Sequence, residues 1–404
     1  PWLINALLAA ALPPLTWALA RRLGLAPLAL LSAAVIALSP AVLILAGSRM
    51  AHTSVLLALL GATVAVLGSR RWELILGGLA LAYVVAARPY DAVLVGLPLI
   101  AWGLGRHRLH AWPMLLFPGL AAAAILLDNQ QLTGSASTFP VGPWFDAWVA
   151  DWGRPPGCNR LGFGDDVGCA AVFGSWGHTP AKALRIGWET LLRQDRLLLG
   201  APGSLLLVLP GAWALRHKPW ILLPIPLIVL GYALYWSPGA AFGPRFWHPL
   251  YLVLPLLVAA GLRLLLKRWA WVPLALLPIA GGSALLPDLA ASYWCVDGSL
   301  VDLLEQAGAR EGVVFLDSTG EPAEHAWTAL GKVHCDAMLE SGDGLLLLDP
   351  TSPTGGLQPR HALPDLETSR AYMRALHPGQ PAWRSTVDLA TGERTLEQLD
   401  LSSP

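Results

Sequence analysis

DNQQLTGSASTFPVGPWFDAWVADWGRPPGCNRLGFGDDVGCAAVFGSWGHTPAKALRIGWETLLRQDR, residues 128–196, is the one long polar interruption in an otherwise apolar chain. It carries five of the 19 tryptophans (Trp144, Trp148, Trp152, Trp176, Trp188), together with Cys158, Cys169 and charges of both signs. A structureless loop of this length is uncommon in a compact protein, so the stretch is expected to fold over something. On either side, residues 2–127 and 197–286 read as apolar spans separated by short polar breaks. The expectation is a roof over a membrane-embedded active site.

Composition agrees. The chain is 55% hydrophobic and 13% charged, with a mean hydropathy of +0.53. Soluble domains carry about 25% charged residues. Net charge is zero, which gives no support to a nucleic-acid partner. The candidate spans are 2–20, 25–46, 53–68, 72–87, 90–104, 111–127, 197–215, 220–236, 246–266 and 269–286. Several are shorter than the roughly 20 residues a crossing helix needs. Span 90–104 is the weakest, with Asp91 at its mouth and Pro98 inside it, and a re-entrant course is the alternative.

Charge supports the count. Alternate breaks hold Arg21-Arg22, Arg70-Arg71, Arg106-His107-Arg108, Arg216-His217-Lys218 and Lys267-Arg268, whereas the other short breaks hold only Arg49, Arg88 and Arg245. This alternation follows the positive-inside rule. It predicts an all-α polytopic bundle of about ten transmembrane helices (1–287, outer loop 128–196 included). The paired basic clusters are placed inside, and Arg49, Arg88, Arg245, the long loop and the tail outside. By the same rule Pro1 lies outside, so an odd number of spans is expected upstream of it. The four cysteines all fall on the predicted outer side, where an oxidising compartment suits Cys158–Cys169 and Cys295–Cys335 disulfides. Free buried thiols are the alternative.

The tail, 288–404, reads as a small extracytoplasmic α/β domain. Helices are expected at 300–307 and 366–376, strands at 313–316 and 345–348, and a closing hairpin from 383–389 and 394–399. It holds neither a Gly-rich phosphate loop nor catalytic-triad spacing, which favours a structural or acceptor-docking role.

Chemistry, if present, belongs to the outer breaks, because the spans are almost free of charge between their ends. Ser48-Arg49-Met50-Ala51-His52, Arg88-Pro89-Tyr90-Asp91 and Gly243-Pro244-Arg245-Phe246-Trp247-His248 bring three arginines to one membrane face. Together they suit a phosphate clamp. Taken singly, each suits snorkelling to headgroups.

The chain resembles the C-class (GT-C fold) glycosyltransferases, specifically the bacterial protein O-mannosyltransferase and lipid A aminoarabinose transferase relatives. The resemblance runs in order from residue 1 to about 260. Its carriers are Leu38-Ser39-Pro40, Ser48-Arg49-Met50-Ala51-His52, Ala86-Ala87-Arg88-Pro89, Leu132-Thr133-Gly134, Thr138-Phe139-Pro140, Leu161-Gly162-Phe163-Gly164, Gly177-His178-Thr179-Pro180-Ala181 and Phe242-Gly243-Pro244-Arg245-Phe246. It implies an enzyme of the bacterial inner membrane that moves a sugar from a polyprenyl-phosphate donor to an extracytoplasmic lipid, glycan or protein. The family's catalytic carboxylate sits in a first outer loop, which this chain, beginning at the equivalent of the second span, does not include. The resemblance therefore assigns no catalytic residue here. It suggests Arg88 and Arg245 for the lipid phosphate, with Arg49 and His52, also phosphate-binding candidates, near the first-loop active site. Asp91 would orient an arginine or a sugar hydroxyl, or else serve as a helix N-terminal charge. His178 would touch phosphate or, as the safer reading, be an exposed structural histidine. Asp165-Asp166 lacks the partners of a metal site, so no metal ligand is assigned; no cofactor is evident, and the need for a divalent metal is left open. The rivals are a lipid-linked sugar flippase or transporter and a glycan polymerase or ligase.

Overall fold

The computed structural model describes residues 2–48, 50–150, 156–169, 172–173, 175–237, 239, 244–277 and 279. In the tail it describes 303–304, 306–308, 312–319, 344–348, 357–360, 381–388 and 394–399. The chain divides into two compact units, Pro1–Ser283 and Ala284–Pro404.

The first unit is a helical bundle. Helices α1 (Trp2–Ala10) and α2 (Leu12–Arg22) run on from one another, followed by α3 (Ala29–Leu38), α4 (Pro40–Gly47), α5 (His52–Leu67) and α6 (Arg71–Ala87). After the single turn α7 (Pro89–Asp91) comes a π-helical turn, Ala92–Gly96, then α8 (Leu97–His107) and α9 (Pro113–Thr133). The polar stretch supplies α10 (Val141–Ala150) and α11 (Pro180–Leu199). Helices α12 (Val208–Ala214) and α13 (Pro224–Ala233), a 3-10 segment Arg245–Leu252 and α14 (Leu254–Leu266) complete the unit.

All the apolar segments whose residues are described are helical, but the expected ten crossings are not reached. Among the described residues, only Leu3–Arg22 is long and apolar enough alone, and the count rises to five if each of four bent helix pairs is one crossing. Proline and glycine are the reason. Ser39 is extended before Pro40, and the chain bends by 51° there. Gly200 and Gly203, at φ 81° and 87°, stop α11, and the following segment leaves at 81° to it. Pro98 has no N–H for the Leu94 carbonyl, and the helix widens into the π turn just before it.

Small residues bring helices together. A Cβ on Gly211 of α12 would lie 1.9 Å from the Leu257 carbonyl oxygen of α14, and one on Gly261 would lie 2.1 Å from that of Leu207. Only glycine permits that backbone approach. The outside of the bundle stays apolar. Leu76, Leu79 and Tyr83 on α6, and Leu115, Leu120 and Leu127 on α9, are all exposed.

The two ends of α5 differ. At its Leu67 end Arg22 donates to the Val64 carbonyl and pairs with Glu73 at 2.5 Å, while His107 meets the Val66 carbonyl at 2.7 Å. Lys218 donates to the nearby Leu23 carbonyl at 3.0 Å. At its His52 end lie Arg88 and, beyond it, Tyr232. Basic clusters from alternate breaks thus gather at one end, and the other breaks meet at the opposite one.

The second unit contains a five-stranded sheet in the order β3-β2-β1-β4-β5, with β1 (Gly312–Thr319) parallel to β4 (Ala382–Asp388) and every other pairing antiparallel. β2 is Gly344–Leu348, β3 is Leu357–Arg360 and β5 is Arg394–Leu399. The expected strands and hairpin are all there, β1 extending further than expected. β3 was not anticipated, and Pro359 suits its place at a sheet edge. Of the expected helix at 300–307, residues 303, 304 and 306 are helical. The helix at 366–376, Cys295 and Cys335 lie outside the described residues.

Candidate functional site

The site is assembled at the His52 end of α5 from three breaks of the bundle. The turn at Arg88-Pro89 sets the first piece. Pro89 starts a new helix, leaving Arg88 outside helical geometry (φ −149°, ψ 79°) with its side chain turned inward. Its Nε lies 2.7 Å from Asp91 Oδ2, and its Nη2 donates to the Tyr232 hydroxyl at 2.8 Å. That hydroxyl donates in turn to Asp91 Oδ1 at 2.6 Å, closing a three-membered ring of contacts. Nη1 rests against the His52 imidazole, 3.0 Å from Nε2. Asp91 is 1% exposed and has its counter-charge in Arg88, as a buried carboxylate requires. Its contacts match the expected role of orienting an arginine, and it also stands in the first turn of the helix that Pro89 starts, as the alternative had it.

Arg245 comes from the other side, at the start of the 3-10 segment. Its Nη1 meets only the thioether of Met50, at 3.7 Å, and its Nε is buried with no hydrogen-bond partner among the described residues. Phe246 links the two cations: its ring lies 5.6 Å from the Arg88 guanidinium carbon, 5.1 Å from that of Arg245, and stacked on Tyr232 at 5.1 Å. His248 lies edge-on to His52, ring centroids 6.4 Å apart, with both its nitrogens buried and unpartnered among the described residues. Among the described residues, two guanidiniums and two imidazoles thus cluster with one carboxylate. Two guanidiniums beside a single carboxylate among the described residues leave an excess of positive charge there, which suits an anion.

Arg88, Arg245, His52 and Asp91 are therefore together. Arg49 lies outside the described residues, although its neighbours Ser48 and Met50 each accept a hydrogen bond from Asn5 there, at 2.7 and 2.8 Å. His178 is elsewhere in role and differs from the exposed histidine expected. It is 1% exposed, stacks on Phe163 at 5.3 Å, and its Nε2 meets the Ala233 carbonyl at 3.0 Å. It pins the long loop to the end of α13. The Cys158–Cys169 disulfide forms in that same loop, packed with Val167 and Trp236. Gly162 N–H donates to the Leu234 carbonyl at 2.8 Å, and Trp236 Nε1 donates to Asn159 Oδ1 at 3.1 Å. The loop is thereby fastened immediately beside Tyr232. Asp166 is paired with Arg160. No group of three metal-ligating side chains occurs among the described residues.

Tyr232 and Asn5 were missed because each is a lone polar residue in an apolar run, with no local signal. His248 stood in a quoted motif, but only the pocket gives it a role. Compared with family models, curated proteins and solved structures, the chain matches none, so its reading rests on this geometry.

Proposed function

We propose that the chain is part of an integral-membrane glycosyltransferase of GT-C type. In this reading its outer pocket holds the phosphate of a polyprenyl-phosphate-linked sugar while the sugar passes to an extracytoplasmic acceptor. The observation that carries the reading is the meeting of Arg88 and Arg245, from breaks more than 150 residues apart, around Phe246, with Asp91 alone among the described residues to balance them. The apolar outsides of α6 and α9 support a lipid surrounding, as does the segregation of basic clusters at the far end. An alternation of crossings still fits the two chemically different ends, with bent pairs other than Pro180–Leu199 and Ser204–Ala214 serving as spans.

Arg88 is held in place by Asp91 and Tyr232, and Arg245 offers an Nε that has no hydrogen-bond partner among the described residues. A departing phosphate gains negative charge, and a preformed guanidinium stabilises it without reorganisation. The proton of the acceptor needs a base within hydrogen-bond reach, and Asp91 is buried in its pairing with Arg88 and Tyr232.

The test is binding of a polyprenyl-phosphate sugar to purified protein. Arg245→Ala should weaken it about ten- to a hundred-fold, the equivalent of a lost charge-assisted contact of about 1.5–3 kcal/mol. Arg245→Lys should restore part of it, keeping the charge but not the fork. Unchanged binding in both variants overturns the clamp. Binding without transfer by the complete protein favours the flippase reading.

A further inference from the structure

Helix α11 carries an exposed apolar stripe that neither the bundle nor the pocket uses. Leu184 is 76% exposed, Trp188 60%, Leu191 39% and Leu192 44%. At 100° per residue these four fall within an arc of about 100°. The opposite half is buried through Ala183, Ile186, Thr190, Gln194 and Leu197. Arg185 and Arg196, both exposed, line one edge of the stripe, Arg185 lying over the Phe173 ring and within 3.4 Å of Glu189. A helix facing water would be polar there, and a helix crossing a bilayer would not carry four basic and two acidic residues (Lys182, Arg185, Arg193, Arg196, Glu189, Asp195).

Two further observations bear on what covers the stripe. Asp195 falls inside the apolar arc, yet its carboxylate is withdrawn from it: Oδ2 accepts from Gly203 N–H and Oδ1 from Leu205 N–H, both at 2.6 Å. The segment those bonds cap, Ser204–Ala214, lies at 81° to α11. If that segment stands along the bilayer normal, α11 lies almost in the membrane plane.

We infer that α11 is an interfacial helix, resting the Leu184–Trp188–Leu191–Leu192 stripe in the outer headgroup layer of an anionic bilayer while Arg185 and Arg196 reach its phosphates. An apolar face with arginines along its edge and a tryptophan within it suits that boundary. The consequence is positional. His178, two residues before α11 begins, pins the loop to the end of α13 beside Tyr232. Holding α11 at the interface sets the height of the anion pocket relative to the lipid phosphates.

The inference rests on the membrane reading above, not on the transfer chemistry, and one experiment separates the two. A nitroxide is attached through p-acetylphenylalanine at position 184, 188, 191 or 185 of the full chain, or at position 76 on α6 as a reference. Each protein is placed in vesicles of phosphatidylglycerol and phosphatidylethanolamine. Relative accessibility to oxygen and to a water-soluble nickel chelate gives depth. The expected result is one shared shallow depth for 184, 188 and 191, about 5–10 Å below the phosphates, an aqueous 185 and a deep 76. Three outcomes with a deep 76 overturn the inference alone: depth rising steadily from 184 to 191, nickel access at 188 equal to that at 185, or a stripe closed to both reagents because protein covers it. An aqueous 76 overturns the membrane reading and this inference with it.

Discussion

Replacing Arg245 with Ala removes a guanidinium that the protein itself hardly uses, so the expected loss is in ligand binding with little change in stability. Arg88→Ala is different. It leaves Asp91, 1% exposed, without its counter-charge, and breaking a buried pair in this way costs about 3–5 kcal/mol. The single variant should therefore lose thermal stability, and Arg88→Met combined with Asp91→Asn should recover much of it without recovering donor binding. Melting in detergent beside a binding titration checks both; equal melting of the single and double variants counts against the pairing. The arginines were legible because Arg beside Pro at a span end is an unusual choice. Their division of labour was not, because it depends on Tyr232, which reaches residue 88 only through the packing of α13.

Among the elements, the long loop was the most legible in kind and the least in detail. Tryptophans, glycines and a nearby cysteine pair announce a folded loop, but not the carbonyls of α13 to which it is tied. Cys158→Ser with Cys169→Ser should cost the loop about 3 kcal/mol of closure stabilisation. Limited proteolysis should then cut within residues 156–178 while the helical content of the bundle, read by circular dichroism, is kept; a loop as resistant as before would show that its backbone bonds and Trp236 packing suffice. In the tail, alternation and turn residues were enough to place four of the five strands. β3 carries a proline and has too little apolar character to stand out without its neighbour.

For the whole molecule, hydropathy located the helices but miscounted the crossings, since a window of residues weighs composition and cannot see a bend. What survives at this scale is the sorting of breaks between the two ends of α5. It predicts that a reporter fluorescing only in the cytoplasm stays dark when fused after Leu399 of the complete protein, and bright cells would reverse the orientation.

The widened turn at Ala92–Gly96 has a consequence for how the chain tolerates change in length. There the Leu97 N–H reaches back to the Ala92 carbonyl, a five-residue step that houses one residue more than an α-helix would. That residue is slack. Deleting exposed Val93 in a Pro98→Ala background lets the turn tighten to α-helical while Arg88 and the Leu99–Ile100 core face keep their directions. Deleting Ala58 from α5 offers no such reserve and turns His52 by about 100° relative to the buried leucines. Donor binding should survive the first deletion and vanish with the second, and loss in both would mean that the turn holds its extra residue for a purpose other than fit.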